Sequence, residues 1–139
     1  MIRTLLALGV LVIGTALAER ETKAEESSGY KCTIKHTLEL GDDGSPRPHS
    51  SAEAFRNMEF IVDRTSGRLL GDISSQWWRK HEILDRGSDQ QSYKVIYITE
   101  PTVHVNLLQV QEFQVEAIIK PFLLVNDTDI HTGTCTALH

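Results

Sequence analysis

The chain has 139 residues, a formal net charge of −5, 40% hydrophobic and 24% charged residues, and two cysteines. This length favours a single domain, and the composition excludes collagen-like, coiled-coil and polytopic membrane proteins. Because phosphate contacts need a surplus of lysine and arginine, the acidic balance also argues against a nucleic-acid-binding protein.

The first eighteen residues have the pattern of a secretory signal peptide. Arg3 supplies the positive start, and an uncharged stretch from Leu5 ends in the small-x-small cleavage signal Ala16-Leu17-Ala18. That stretch is shorter than the roughly 20 residues that a membrane-spanning helix needs. We therefore predict a periplasmic or secreted protein, cleaved after Ala18. Removing 18 residues from 139 leaves 121, and the loss of Arg3 takes the net charge from −5 to −6.

The two cysteines, Cys32 and Cys135, stand near opposite ends of the predicted mature chain. In an oxidising compartment, two cysteines with no other available partner are expected to form one disulfide. Closing a loop of about a hundred residues would stabilise the fold by roughly 4–5 kcal/mol as an upper figure. A metal site is not predicted, because there is no CxxC motif and the six histidines never fall at a metal-ligand spacing. No cofactor is predicted either.

The start of the domain follows a charged segment. Residues 19–29 are mostly charged and polar, which predicts a flexible lead-in before a single domain over residues 30–139. From Tyr30 to Leu40 apolar and polar residues alternate, which predicts a half-buried strand. Its core face would carry residues 32, 34, 38 and 40. A turn over 41–46 and a capping box at 50–53, which predicts one short helix before Asn57, come next.

The remaining elements are predicted to be short strands. Alternation over 58–63, the turn 64–67 and the return over 68–71 form the clearest hairpin. Residues 72–92 are irregular apart from a short strand at 82–84, and a strong strand follows at 93–98. The apolar phase flips at Leu107-Leu108, which suggests a bulge or a strand end. Alternation from Phe113 to Ile119 predicts a strand that Pro121 interrupts, and Ile130 to Cys135 is the last strand.

These elements predict an all-β fold. Six to eight short strands separated by turns are typical of an antiparallel β-sandwich or a small barrel. At most one short helix is expected, and the disulfide would tie the first strand to the last.

Catalytic templates were compared with the sequence, and none matches. There is no nucleophile elbow, zincin helix, phosphate-binding loop or dinucleotide fingerprint. The most distinctive local feature is Trp77-Trp78, followed by Arg79. Adjacent residues of an extended chain point to opposite faces, so one indole could enter the core while the other faces outward as a contact for a ligand or partner. The alternative is that both indoles cover the core. We retain Trp77, Trp78 and Arg79 as a candidate partner contact.

The mature chain resembles small secreted or periplasmic proteobacterial proteins of unknown function. The resemblance is carried by seven segments: Tyr30-Lys31-Cys32-Thr33, Gly41-Asp42-Asp43-Gly44, Val62-Asp63-Arg64 with Ser66-Gly67, Asp85-Arg86-Gly87-Ser88, Leu108-Gln109-Val110-Gln111-Glu112-Phe113, Lys120-Pro121-Phe122 and Thr132-Gly133-Thr134-Cys135. It implies an exported address and no particular activity. Periplasmic lysozyme inhibitors are a looser comparison. Their Ser-Gly-x-x-Tyr loop is missing, because Arg68-Leu69-Leu70 follows Ser66-Gly67.

Three functions follow as expectations. The first is an exported non-enzymatic β-domain that binds a macromolecular partner. The second is a lipocalin-like carrier of a small apolar ligand, which an interior filled by Phe60, Val95, Val105 and Phe113 would exclude. The third is a hydrolase whose site is assembled from residues distant in the sequence.

Overall fold

A computed structural model describes residues 28–73, 78–113 and 117–139, without the side chains of Trp78 and Arg79. The predicted leader, most of the lead-in and Trp77 lie outside these residues. The described chain forms nine strands: β1 (Gly29–Leu40), β2 (Pro46–Pro48), β3 (Glu59–Asp63), β4 (Leu69–Gly71), β5 (Trp78–Arg86), β6 (Tyr93–Thr99), β7 (Val105–Val110), β8 (Ile119–Asn126) and β9 (Asp129–Leu138).

The strands pair in one antiparallel sheet with the order β4-β3-β1-β9-β8-β7-β6-β5, and β2 pairs with the end of β1. From β5 to β9 each strand pairs with its successor in the chain, as in an up-and-down barrel. The first strand then pairs with the last, and the sheet curls into a half-barrel. The prediction of an antiparallel all-β fold is confirmed.

The predicted disulfide is present. Cys32 and Cys135 are direct register partners on β1 and β9, and their sulfurs are bonded across 103 residues of sequence. Both are fully buried. The bridge therefore links the first and last strands, as predicted.

The curl brings the two ends of the sheet into contact. The turn between β3 and β4 lies against β5 and β6, where the Tyr97 hydroxyl donates a hydrogen bond to the Gly67 carbonyl at 2.8 Å. On the same turn, Arg64 Nη2 donates to the Arg86 carbonyl at 2.9 Å. Gly67 has a φ of +78°, and a side chain there would meet Ile83 and Val95 at 3.0–3.2 Å. Only glycine combines this backbone conformation with so close an approach.

The predicted helix is a single turn, α1 (Ala52–Phe55). Its first turn has no side-chain cap; instead, the Ser51 amide donates to His49 Nδ1 at 2.9 Å. The capping box therefore predicts the helix correctly without forming its own hydrogen bonds.

The core fills the inner face of the curled sheet and contains three tyrosines and two phenylalanines. Its buried members are Tyr30, Cys32, Ile34, Phe60, Val62, Leu69, Tyr93, Val95, Tyr97, Leu108, Val110, Phe122, Leu124 and Cys135. An interior filled by four named residues would exclude a lipocalin-like carrier. Of these four, Phe60 and Val95 are buried, whereas Val105 and Phe113 are 47% and 46% exposed.

The first strand corrects the predicted face assignment. A register shift between Ile34 and His36 marks a bulge opposite β9. One extra residue moves every later side chain to the other face. Thr37 is therefore buried, whereas Leu38 is partly exposed and Leu40 is 50% exposed. The prediction that residues 38 and 40 face the core is wrong.

Two other predictions are corrected between β7 and β8. The phase change at Leu107-Leu108 is not a bulge, because β7 pairs with both neighbours in continuous register. Pro121 lies inside β8, beyond the last paired residue of β7, where its carbonyl still accepts a hydrogen bond from the Gln111 amide. The missing N–H of this proline therefore costs no ladder bond with β9. Strand β8 begins only at Ile119, so Phe113 is not part of a strand.

Candidate functional site

The predicted partner contact falls largely outside the described residues. Trp77 is not among them, and Trp78 and Arg79 are described only as the first two backbone positions of β5, with Trp78 paired to Thr99. Strand β5 lies at the end of the sheet order. The contact proposed for these three residues stays a prediction.

A hydroxyl–imidazole pair lies between β1 and β9. Thr37 Oγ1 is 3.0 Å from His131 Nδ1, and the Phe55 ring packs on this imidazole at a centroid distance of 4.9 Å. Such a pair is the minimal part of a nucleophilic site. However, Thr37 and His131 are only 3% and 4% exposed, so no substrate reaches them. Burial, reinforced by His49 and opposed by Asp129, lowers the pKa of His131.

Beside this pair, His49 lies between two carboxylates. Its Nε2 atom is 3.8 Å from Glu39 and 3.7 Å from Asp129. These contacts link the end of β2 to β1 and β9. Among the described residues, no group of three or more His, Cys, Asp or Glu side chains is arranged to hold a metal ion.

A buried polar network occupies another part of the fold. Lys120 Nζ lies 3.1 Å from Glu112 Oε2, and both side chains are about nine-tenths buried. The Tyr30 hydroxyl donates to the other oxygen of the same carboxylate. With its charge paired and hydrogen-bonded, Glu112 joins the loop after β7 to β1 and β8. Its role is structural, because removing any one partner would leave a buried group unpaired.

The outer face of the sheet carries an unusual row of aliphatic side chains. Five residues on five adjacent strands are register partners in succession: Leu38, Ile130, Val125, Leu107 and Ile96. The neighbouring row, one residue along each strand, is Thr37, His131, Leu124, Leu108 and Val95. All five of these are buried on the inner face. We call the outer set the aliphatic row. Each of its members is partly exposed.

This row departs from the usual pattern of a curled antiparallel sheet. Such a sheet packs one face on the core and presents polar side chains to water on the other. Here the outer face is also apolar along one row that crosses five strands, and Val105, close by on β7, is 47% exposed. A contiguous row of partly exposed aliphatic side chains is a candidate interaction surface.

A shallow open depression of about 440 Å³ lies next to the aliphatic row on the same face. We call it the saddle. It crosses β1, β9, β8 and the end of β7, two residues along each strand from the row. Its polar lining consists of Lys35, His36, Gln109, Gln111, Thr132 and Thr134, and Pro121, Phe122 and Leu123 add apolar contact.

The bulge of β1 explains why two consecutive basic residues line the saddle. In a regular strand Lys35 and His36 would point to opposite faces. The burial pattern from Ile34 to Thr37 is instead buried, exposed, exposed, buried. Bulges commonly re-aim side chains in this way next to functional sites.

Within the described part of the chain, Lys35 has no carboxylate partner. Four other described lysines each have a carboxylate close by: Lys31 with Glu59 at 2.9 Å, Lys80 with Glu100 at 2.7 Å, Lys94 with Asp85 at 3.4 Å and Lys120 with Glu112 at 3.1 Å. Lys35 is the only lysine with a described side chain that has no ion pair, and none of the ten residues lining the saddle is acidic. The saddle therefore presents positive charge and hydrogen-bonding groups beside an apolar strip.

Two observations bear on the compartment. The buried disulfide fits an extracellular or periplasmic protein, because structural disulfides persist in oxidising environments. In the described part of the chain, no helix is long and apolar enough to cross a membrane.

Comparison with known proteins adds no relative. No family model, curated protein or solved structure matches this chain. The geometry of the sheet's outer face is therefore the basis for assigning a function.

Proposed function

We propose that the chain is an exported, non-enzymatic β-domain that binds a protein partner through the outer face of β6, β7, β8, β9 and β1. The observation that carries this proposal is the aliphatic row, five register-aligned aliphatic side chains opposite the core. Export is supported by the leader pattern ending in Ala16-Leu17-Ala18 and by the disulfide.

The energetics favour a protein surface as the occupant. Full burial of one aliphatic side chain contributes about 1.5–3 kcal/mol. Because the five side chains of the row are already partly covered by their neighbours, each has less than this to gain. Their sum is still enough to anchor an interface whose affinity comes from a few central residues. The saddle beside the row supplies the polar groups that orient a partner.

The first test compares two pairs of substitutions in captures from the envelope and secreted fractions of the source cells. Leu107→Thr with Val125→Thr removes the centre of the row and keeps residues suited to strands. Ile61→Thr with Leu70→Thr is the matched control, since these register partners on β3 and β4 are 40% and 46% exposed and lie away from the row. We expect the first pair to lower capture of the partner at least about tenfold, because two apolar contacts are lost. The control pair should leave capture unchanged.

The second test identifies the contact directly. A photo-crosslinking amino acid at position 107 should form a specific adduct with the partner, and the same group at position 70 should not. Equal adducts at both positions, or capture that survives the Leu107 and Val125 substitutions, would contradict the proposal. Export is tested separately, because N-terminal sequencing of the secreted protein should begin at Glu19.

A carrier of a small ligand is the second candidate, and one residue favours it. Asn106 is fully buried on the inner face of β7, and both its Oδ1 and Nδ2 atoms lack a hydrogen-bond partner. Buried side-chain amides are nearly always paired in folded proteins. A ligand with a polar group held inside the half-barrel would supply the missing partner.

This second candidate is tested with an apolar fluorophore that carries an amine, such as N-phenyl-1-naphthylamine. Asn106→Leu should weaken its binding if the fluorophore enters the sheet interior. Binding that responds instead to the Leu107 and Val125 substitutions would assign the fluorophore to the outer face. That result would contradict the carrier.

A further inference from the structure

The saddle has a chemistry of its own, which goes beyond apolar association. Its lining combines the side chains of Lys35 and His36, brought together by the β1 bulge, with the amides of Gln109 and Gln111 and the hydroxyls of Thr132 and Thr134. Every one of these groups can donate a hydrogen bond. Lys35 can only donate, so an occupant that pairs with it must supply an acceptor.

The charges of the residues that line the saddle favour an anion as the occupant. The whole chain is acidic, with a net charge of −5. Even so, none of the described residues that line the saddle is acidic, and Lys35 has no ion pair, unlike the other lysines with described side chains. Hydrogen bonds from a charged donor to a carboxylate are about twice as strong as neutral ones. A carboxylate is thus the complement that the saddle selects.

The position of the saddle further limits which kind of molecule can occupy it. It adjoins the aliphatic row along four strands, so one extended segment can cover both. Leu123 and Leu107, on neighbouring strands, belong one to the saddle and one to the row. An extended chain turns every second side chain to the same face. A segment with aliphatic and acidic residues two positions apart can therefore turn both toward the sheet.

We propose that the saddle binds an acidic side chain, Asp or Glu, of an extended aliphatic segment in the protein partner, with Lys35 as its principal ion pair. This inference rests on the proposed function, since it specifies the chemistry of the partner on the same outer face. Lys35 would act as a specificity-determining residue, and Gln109 and Thr132 would supply further donors to the bound carboxylate.

The test uses two capped peptides, Ac-Val-Thr-Glu-Thr-Val-NH₂ and its glutamine counterpart, in which the central acidic or amide residue shares one face of the extended chain with both valines. Each peptide is titrated into the full chain while amide shifts are followed by NMR. The acidic peptide should shift the amides of Gln109 and Thr132. Lys35→Gln should weaken it about tenfold, since one hydrogen bond between charged groups is lost. The glutamine peptide should bind more weakly and should not respond to Lys35→Gln. Lys31→Gln is the matched control, because Lys31 lies on the same strand and is already paired with Glu59.

The outcomes separate this inference from the function it rests on. Equal binding of the two peptides, equal effects of Lys35→Gln and Lys31→Gln, or no Lys35-dependent shift at millimolar peptide would overturn the carboxylate site. If the partner is still lost on substitution of Leu107 and Val125 in any of these cases, the proposed function stands without it. Displacement of the acidic peptide by polygalacturonate, with tighter Lys35-dependent binding, would assign the saddle to an anionic polysaccharide and contradict a protein segment.

Discussion

At the scale of single residues, the polar groups inside the sheet fall into two kinds. His131 is buried with Thr37 as its hydrogen-bond partner and Phe55 against its ring. Asn106 is equally buried and has no partner. A satisfied buried group stabilises the fold only while its protonation state is kept, whereas an unsatisfied one costs free energy at every pH.

The first prediction concerns the pH dependence of His131. Burial lowers its pKa from the usual 6.5 in the folded state, so the unfolded chain takes up the proton first as the pH falls. The free energy of unfolding should therefore decrease from pH 7.5 to 5.5. Urea unfolding at both pH values should give a smaller difference for His131→Gln than for the wild type. His36→Gln, which removes an exposed imidazole from the same strand pair, should leave that difference unchanged. Equal pH differences in the wild type and His131→Gln would contradict this account.

Asp63 titrates at lower pH than His131. Hydrogen bonds from the Ser66 amide and hydroxyl lower the pKa of Asp63 below its usual 3.8. Its contribution is present above pH 3.8 and is lost as the pH falls through the folded value. The comparison between pH 7.5 and 5.5 therefore does not include it.

The second prediction concerns Asn106. Asn106→Leu replaces an unpaired buried amide by an aliphatic group of similar size, so it should raise the free energy of unfolding by about 1–2 kcal/mol. Asn126→Leu, at the paired position on β8, is the control. Asn126 is partly exposed and can be hydrated, so its substitution should bring no comparable gain. Urea unfolding of both variants decides, and a destabilised Asn106→Leu protein would mean that the amide is satisfied.

At the scale of elements, the bulge of β1 has the widest effect. It buries Thr37, turns Leu38 to the outer face and sets Lys35 beside His36. The bulge requires a close approach of β9. A side chain on Gly133 would lie 2.1 Å from the Thr33 carbonyl oxygen and 2.9 Å from the Phe122 ring.

The third prediction follows from that approach. Gly133→Ala should lower the free energy of unfolding by about 3 kcal/mol, since the backbone of β1 must move to make room. Gly44→Ala is the control: Gly44 has a φ of +79° and open space around it, so only backbone strain of about 1 kcal/mol is expected. If urea unfolding gives similar losses in the free energy of unfolding for both variants, the backbone of β1 can move to make room with no added loss of stability.

The elements also show what sequence patterns can and cannot predict. Local signals predict β3, β4 and β6 correctly. Alternation over 58–63 indicates β3, the turn 64–67 indicates the return in β4, and the β-branched and aromatic run at 93–98 indicates β6. Alternation fails in β1, because an alternating pattern carries no sign of the register shift that follows Ile34. Apolar residues on both faces at Val95–Ile98, Leu107-Leu108 and Phe122–Val125 are the trace of the aliphatic row in the sequence. Their alignment across five strands depends on long-range register, and so does the placement of Lys35 beside Gln109 and Thr132.

At the scale of the whole molecule, the disulfide joins β1 and β9, the first and last of the described strands in the sequence. The bond closes a loop with a sequence separation of 103. This arrangement could be predicted from the sequence, because two cysteines in an exported chain leave only one intramolecular pairing.

The fourth prediction measures that bond. Cys32→Ala with Cys135→Ala should lower the free energy of unfolding by about 4 kcal/mol, since the unfolded chain regains the entropy of a long loop. Urea unfolding of the wild type in reducing agent should show a similar loss. If the free energy of unfolding falls in reducing agent but not in the double alanine variant, favourable packing around the two buried alanines offsets the loss of the disulfide. No loss in either would contradict the entropic account.

The pairing of β1 with β9 also determines whether the order of the strands along the chain can be changed by circular permutation. The Ser28 amide donates to the Leu138 carbonyl at 2.7 Å, so the start of β1 and the end of β9 are neighbours. Circular permutation is therefore compatible with the fold: a short glycine–serine connection can join His139 to Ser28, with new termini opened at the exposed turn beside Gly44. Circular dichroism and a thiol titration of the permuted chain should give a β spectrum and no free thiol. For a binding domain, this means that a reporter can be fused at that turn, beyond the end of β1, instead of where the start of β1 and the end of β9 lie side by side.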